Sequence, residues 1–226
     1  MSKNTKTERS ILFNSEMVNA ILAGRKTQTR RVVKPQPTTC NDDRGGYWWP
    51  SNAVQSMVHI ENELQDYDGS WGGLIETCNP FGEIGDRLWV RETHALIPST
   101  AYRASDVQQV INPHDNETAS IFKAGFSLSQ SGFKWKPSIH MPRWACRIVL
   151  EITKIRVERL QDITKEDAKA EGFDYSTHPS AIKMGYAVGA RTNFRHTWEG
   201  IYGATSWNQN PWVWVIEFEK IEGANQ

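Results

Sequence analysis

The chain has 226 residues, enough for one large domain or two small ones, and its 10 tryptophans and 8 phenylalanines can fill a sizeable core. Its 26 basic and 26 acidic side chains cancel, which excludes a generic polyanion-coating protein and confines any nucleic-acid contact to a local patch. Cys40, Cys78 and Cys146 are isolated, with no Cys-x-x-Cys, His-x-x-x-His or His-Glu-x-x-His, so the pattern argues against a zinc site and for a reducing compartment. The polar start, MSKNTKTERS, lacks the apolar stretch of a signal peptide. No run reaches the roughly 18 apolar residues of a membrane span, and a cytoplasmic protein is expected. Tryptophans are spread from Trp48 to Trp214, which favours a single domain over residues 11–221 with flexible tails at 1–10 and 222–226.

The stretch from Ile11 to Pro35, ILFNSEMVNAILAGRKTQTRRVVKP, reads as a strand, a short helix, a glycine stop and a basic segment. Ser15 is placed to cap the helix, and Met17, Ala20 and Ile21 recur at the spacing of one apolar stripe. Gly24 closes it in the left-handed conformation that glycine adopts without strain. Five cations then follow, Arg25, Lys26, Arg30, Arg31 and Lys34, with Thr27 and Thr29 among them. A like-charge run is commonly a solvated face. Placed where a helix gives way to a strand, it can instead converge an amine, hydroxyls and guanidinium forks on one point, where arginine suits phosphate and carbonyl oxygens.

Residues 38–80 read as an insertion rich in turns, with the aromatic clump Tyr47, Trp48 and Trp49, and Trp71 further on. These tryptophans either lid the core or offer a stacking platform for bases. Phe81 to Glu92 reads as a turn at Gly85 and Asp86 and a strand in which Leu88 and Val90 alternate with Trp89 and Arg91. Glu92 ends it, as a site carboxylate or as a charge paired with an arginine. Residues 98–136 read as a second, irregular insertion, and His140 in KPSIHMPRWACRI is open to an acid–base or a structural role. From Ala145 the alternation of Cys146, Ile148, Leu150 and Ile152 predicts a strand. Its phase then slips to Ile155 and Val157, the mark of a bulge or bend such as small barrels use.

Thr164 with Asp167 three residues on predicts a capping box, with Ile163 stapled on Ala168 and Gly172 as the stop. Glu171 therefore falls at the helix C-terminus, where a carboxylate opposes the helix dipole, and such broken local rules gather at functional sites. After a loop over 174–190, Phe194, Trp198 and Ile201 predict a helix. Trp212, Trp214, Ile216 and Phe218 then alternate along a closing strand.

Gly24-Arg25-Lys26-Thr27 with Thr29 and Arg31, Gly85-Asp86 before a strand to Glu92, a helix ending in Glu171, and the last strand WVWVIEF together resemble the ASCH domain. The resemblance covers about half of the chain, over roughly 11–35, 82–93, 143–173 and 194–221, and is nearest to the longer ASCH proteins of phages and prophages. It implies an α+β fold similar to PUA domains, a small β-barrel with flanking helices, here carrying two long loop insertions. One branch of the family removes acetyl from N4-acetylcytidine, and the resemblance carries its catalytic lysine, threonine and glutamate onto Lys26, Thr29 and Glu171. In that chemistry Thr29 attacks the acyl carbonyl, Lys26 accepts its proton, and Glu171 orients the lysine or relays the proton to the departing amine.

A free lysine titrates near 10.4; Arg25, Arg30 and Arg31 push Lys26 down and Glu171 pushes it up. Arg25, Arg30, Arg31, Glu92 and Arg143 are the expected substrate contacts. The expected partner is a modified nucleoside or single-stranded RNA, with no cofactor, metal or membrane. Other ASCH proteins are ribonucleases or RNA binders, so an RNA- or base-binding module using the same basic cleft is the second expectation. A host protein bound through the insertions is the third.

Overall fold

In the computed structural model, residues 6–41, 43, 45–65, 69–102, 107–126, 132–174, 179–185 and 188–221 are described. The elements in chain order are β1 (Glu8–Leu12), α1 (Ser15–Leu22), β2 (Gln28–Val32), β3 (Thr38–Thr39), β4 (Tyr47–Ser51), β5 (Ser56–His59) and α2 (Leu74–Cys78). There follow β6 (Arg87–Arg91), β7 (His94–Pro98), β8 (Gln109–Ile111), β9 (Thr118–Phe122), β10 (Val149–Arg159), α3 (Lys165–Ala170), α4 (Pro179–Met184), α5 (Ala190–Tyr202) and β11 (Trp212–Ile221). The protein is mixed α+β, and strands predominate. The strand orders are open, and no closed barrel is found among the described residues.

The chain divides into two compact units, one from Met1–Gly24, Asp86–Glu151 and Glu219–Gln226, the other from Arg25–Gly85 and Ile152–Phe218. In the first, β1 runs parallel to β6, with Ile11 opposite Val90, and β6 pairs antiparallel with the start of β10, Leu88 opposite Leu150. Alternation buries Leu88 and Val90 and leaves Trp89 and Arg91 half-exposed, as the sequence predicts. Helix α1 is capped by Asn14, whose side chain accepts from the Met17 N–H at 2.8 Å, one residue before the expected Ser15. The buried stripe correspondingly takes in Val18 with Ala20 and Ile21 and leaves Met17 half-buried. Gly24 closes the helix at φ 69°, its N–H on the Ile21 carbonyl.

The stretch expected to be an irregular second insertion instead forms an antiparallel sheet in the order β7-β9-β8, with β9 nearly all buried. No hydrophobic alternation marks it, because β9 is buried on both faces and carries Thr118 and Ser120 beside Ala119, Ile121 and Phe122. Phe122 of this sheet packs with Met141, Ala145, Cys146 and Val149 in one core cluster.

In the second unit, β2 pairs antiparallel with β11, Thr29 opposite Ile216 and Arg31 opposite Trp214. The other expected insertion also folds, as the sheet β3-β4-β5. Its tryptophans fasten it: Trp49 meets Trp214 edge to face at 5.7 Å and donates its indole N–H to the Pro35 carbonyl, and Tyr47 meets Trp212 at 5.4 Å. Strand β10 starts at Val149, later than expected, after a 3-10 turn over Arg143–Ala145. The predicted phase slip is present, as Thr153 and Lys154 are exposed in succession between buried Ile152 and Ile155. The capping box is present as well: the Thr164 hydroxyl accepts from the Asp167 N–H at 3.0 Å, and Asp167 accepts from the Thr164 N–H at 3.2 Å.

Helix α5 buries Ala190, Phe194 and Trp198 at four-residue spacing, whereas Ile201, expected on that stripe, is exposed. Those side chains join Leu160, Ile163, Ala168, Phe173, Val213 and Val215 in one core. Replacing Phe194 with alanine leaves a cavity there, and Phe194→Ala is expected to lower the unfolding free energy in urea by about 3 kcal/mol. A change under roughly 1 kcal/mol would show that α5 is not part of the cooperative core.

Candidate functional site

Strand β2 presents successive side chains to opposite faces, and this sorts the basic segment. Gln28 and Arg30 share one face, opposite Glu217 and Val215. Thr29 and Arg31 share the other, opposite Ile216 and Trp214.

The first face is closed by carboxylates. Arg30, 2 % exposed, donates from Nε to Glu158 at 3.0 Å and from Nη1 to Glu171 at 3.2 Å, with Asp167 at 3.4 Å. Lys26 lies just before the strand, bridged to Glu171, and is equally buried. Its ammonium donates to Glu171 Oε2 at 2.6 Å, the Glu171 carbonyl at 3.1 Å and the Gln28 carbonyl at 2.8 Å. Glu171 thus divides its two oxygens between Lys26 and Arg30. Its position at the C-cap of α3, unfavourable to the helix dipole, is compensated by those two cations. Burial pushes the Lys26 amine below its ordinary value, against the pull of Glu171.

Arg156 extends the network to Glu158 at 3.0 Å, to Asp167 at 2.7 Å and to Glu217. Gln28 donates to the Asp167 side chain at 3.1 Å. Gln28, Arg156, Glu158 and Glu217 carry no mark in the sequence, and Asp167 is marked there only as part of a helix cap. Their partners lie up to 139 residues away, and no local pattern marks the pairing.

The second face borders a cavity of about 630 Å³. Arg31, Lys34, Trp49, Phe81, Tyr202 and Trp214 line it, together with small and polar residues of the β4–β5 hairpin that include Ser51 and Asn52. Lys26, Thr29 and Glu171 do not. Lys26 and Glu171 are brought together, while Thr29, 1 % exposed, is buried on the strand face that it shares with Arg31.

The other expected contacts are placed elsewhere. Arg30 is on the carboxylate face. Arg25 donates to the Gly172 carbonyl at 3.1 Å. Glu92 belongs to the first unit, where Arg147 clamps both of its oxygens at 2.8 Å, so the paired reading describes it; burial pushes its carboxyl up and Arg147 opposes this. Arg143, also of the first unit, forks onto Glu8 at 2.7 and 2.8 Å. Glu92 and Arg143 are each engaged in an ion pair of their own unit. Compared with protein-family models, characterised proteins and solved structures, the chain has no match. No helix among the described residues is long and apolar enough to cross a membrane.

Two outcomes follow from the carboxylate face. Glu171→Gln removes the carboxylate that buried Lys26 and Arg30 share and is expected to lower stability by about 3–5 kcal/mol, read from urea unfolding; a loss below roughly 1 kcal/mol would contradict the shared-carboxylate arrangement. Burial pushes Asp167 up, yet hydrogen bonds from Thr164 and Gln28 and the charge of Arg30 hold it at about 2. That lies below the ~3.9 of an unfolded aspartate, so ionised Asp167 stabilises the fold above about pH 4, and the contribution is lost as pH falls through 2. Asp167→Asn is expected to be less stable at neutral pH and to show a shallower loss between about pH 4 and 2 in urea midpoints. A slope identical to the parent would remove Asp167 from the network.

Proposed function

We propose that the second unit binds a modified pyrimidine nucleoside, or single-stranded RNA presenting such a base, in the cavity beside β2. The observation that carries this reading is the aromatic wall of Trp49, Phe81, Tyr202 and Trp214 around a space of about 630 Å³, within the ~300–1,000 Å³ of small-molecule sites. Aromatic edges and faces accept a flat heterocycle whatever its sequence, each stacked base contributing roughly 1–3 kcal/mol. Ser51 and Asn52 place neutral hydrogen-bonding groups at the same wall, suited to a sugar or to an exocyclic substituent. In this reading the chain is an ASCH-like, PUA-related protein whose first insertion supplies one wall of the site.

A second reading, hydrolysis of an N4-acyl group, is favoured by the 2.6 Å contact between Lys26 and Glu171 and by the burial that eases loss of the lysine proton. Thr29 Oγ1 would add to the acyl carbonyl while its proton passes to Lys26. The cytosine amine would leave with that proton, and water would release the acid from Thr29. Glu171 would hold the amine in place.

Titration of the intrinsic tryptophan fluorescence with N4-acetylcytidine and with a short single-stranded RNA tests both. Saturable quenching at low salt is expected, weakened about tenfold in Trp49→Ala. No saturable change with either ligand would overturn the binding reading. In the same samples, release of cytidine that disappears in Lys26→Ala would place hydrolysis first, and binding without release would set it aside.

A further inference from the structure

We infer that the cavity takes its nucleoside in phosphorylated form, with Arg31 and Lys34 holding the phosphoryl oxygens. The inference rests on the base-binding reading and adds the charge of the ligand to it. The cavity lining carries these two cations and no carboxylate, although acidic and basic residues are equal in number over the chain. The imbalance has a structural cause. Glu158, Asp167 and Glu171 are gathered on the opposite face of β2, where they neutralise Arg30 and, in the case of Glu171, Lys26. Strand alternation then leaves Arg31, half-buried and opposite Trp214, directed to the aromatic side.

Arg31 is held there by contacts within its own unit. It donates to the Arg30 carbonyl at 3.4 Å, a long hydrogen bond. Burial pushes its guanidinium below its ordinary value, with Tyr202 and Glu171 acting the other way. A partly desolvated guanidinium gains from an incoming anion, and its planar fork fits two phosphate oxygens at once. Lys34, exposed two residues beyond the end of β2, adds a point charge at the same rim. A phosphate monoester meets two cations, and the heterocycle attached to it meets the tryptophans. A bare nucleoside would make no use of the two cations in the lining, and inorganic phosphate would make none of the aromatic wall.

Isothermal titration of the full chain at low and at moderate salt decides this, with N4-acetylcytidine 5′-monophosphate and each of the four ribonucleoside 5′-monophosphates set against its own nucleoside and against inorganic phosphate. At least one monophosphate is expected to bind roughly tenfold or more tightly than its nucleoside, as charge-assisted hydrogen bonds require. The advantage is expected to shrink as salt rises and in Lys34→Gln, an exposed position whose replacement leaves the fold intact. Equal affinity for every monophosphate and its nucleoside would overturn the inference while leaving the base-binding reading in place. Inorganic phosphate binding as tightly as the best monophosphate would also overturn it, and would count against the aromatic wall as a base site. Absence of binding by all three ligand classes would remove both.

Discussion

One carboxylate shared by two buried cations holds the second unit of this protein in register. Glu171 gives one oxygen to Lys26 and the other to Arg30, and all three side chains are almost inaccessible to water. Buried charges of this sort are tolerated only when each is paired and hydrogen-bonded, because separating either partner leaves an uncompensated ion in a medium that solvates it poorly. The pairing therefore ties the start of β2 to the end of α3, elements 145 residues apart in the chain. Any shift of β2 by one residue would turn Arg30 outward and bury Arg31 among the carboxylates, so the ion network also fixes which side chains reach the other face.

That division gives the basic segment two jobs. The inner cations neutralise acids and stabilise the fold; the outer ones, Arg31 and Lys34, border an aromatic cavity. Trp49 and Trp214 serve both ends, since each is buried in an edge-to-face contact with the other and each lines the cavity. The first insertion accordingly does more than decorate the unit. Its β4–β5 hairpin contributes Ser51, Asn52 and Ala53 to the lining that also includes Arg31 and Tyr202, so the shape of the cavity depends on that segment.

What could be read in the sequence was whatever has a short-range cause. The glycine stop at Gly24, the Thr164–Asp167 capping box, the alternation of Leu88 and Val90 and the phase slip before Ile155 all follow from a few neighbouring residues. The meeting of Lys26 with Glu171 was legible only through family resemblance, not through any local pattern. Errors arose where two residues competed for one role or where burial removed the pattern. Asn14, in extended conformation, took the cap from Ser15, and Ile201 lost its place on the α5 stripe to Ala190. The sheet of β7, β8 and β9 has no local signature because polar turns surround a strand, β9, that is buried on both faces. Glu158, Asp167 and Arg156 were invisible as a cluster because strand pairing and helix docking, not sequence neighbourhood, bring them together.

The central claim is that neighbouring arginines on one strand have opposite duties. It is tested most directly by measuring both urea stability and mononucleotide affinity for the pair of variants Arg30→Gln and Arg31→Gln. The account predicts a crossed result: Arg30→Gln loses several kcal/mol of stability and, where folded, keeps its affinity, whereas Arg31→Gln keeps most of its stability and loses roughly tenfold or more in affinity. Parallel losses in both variants, or the reverse assignment, would contradict it.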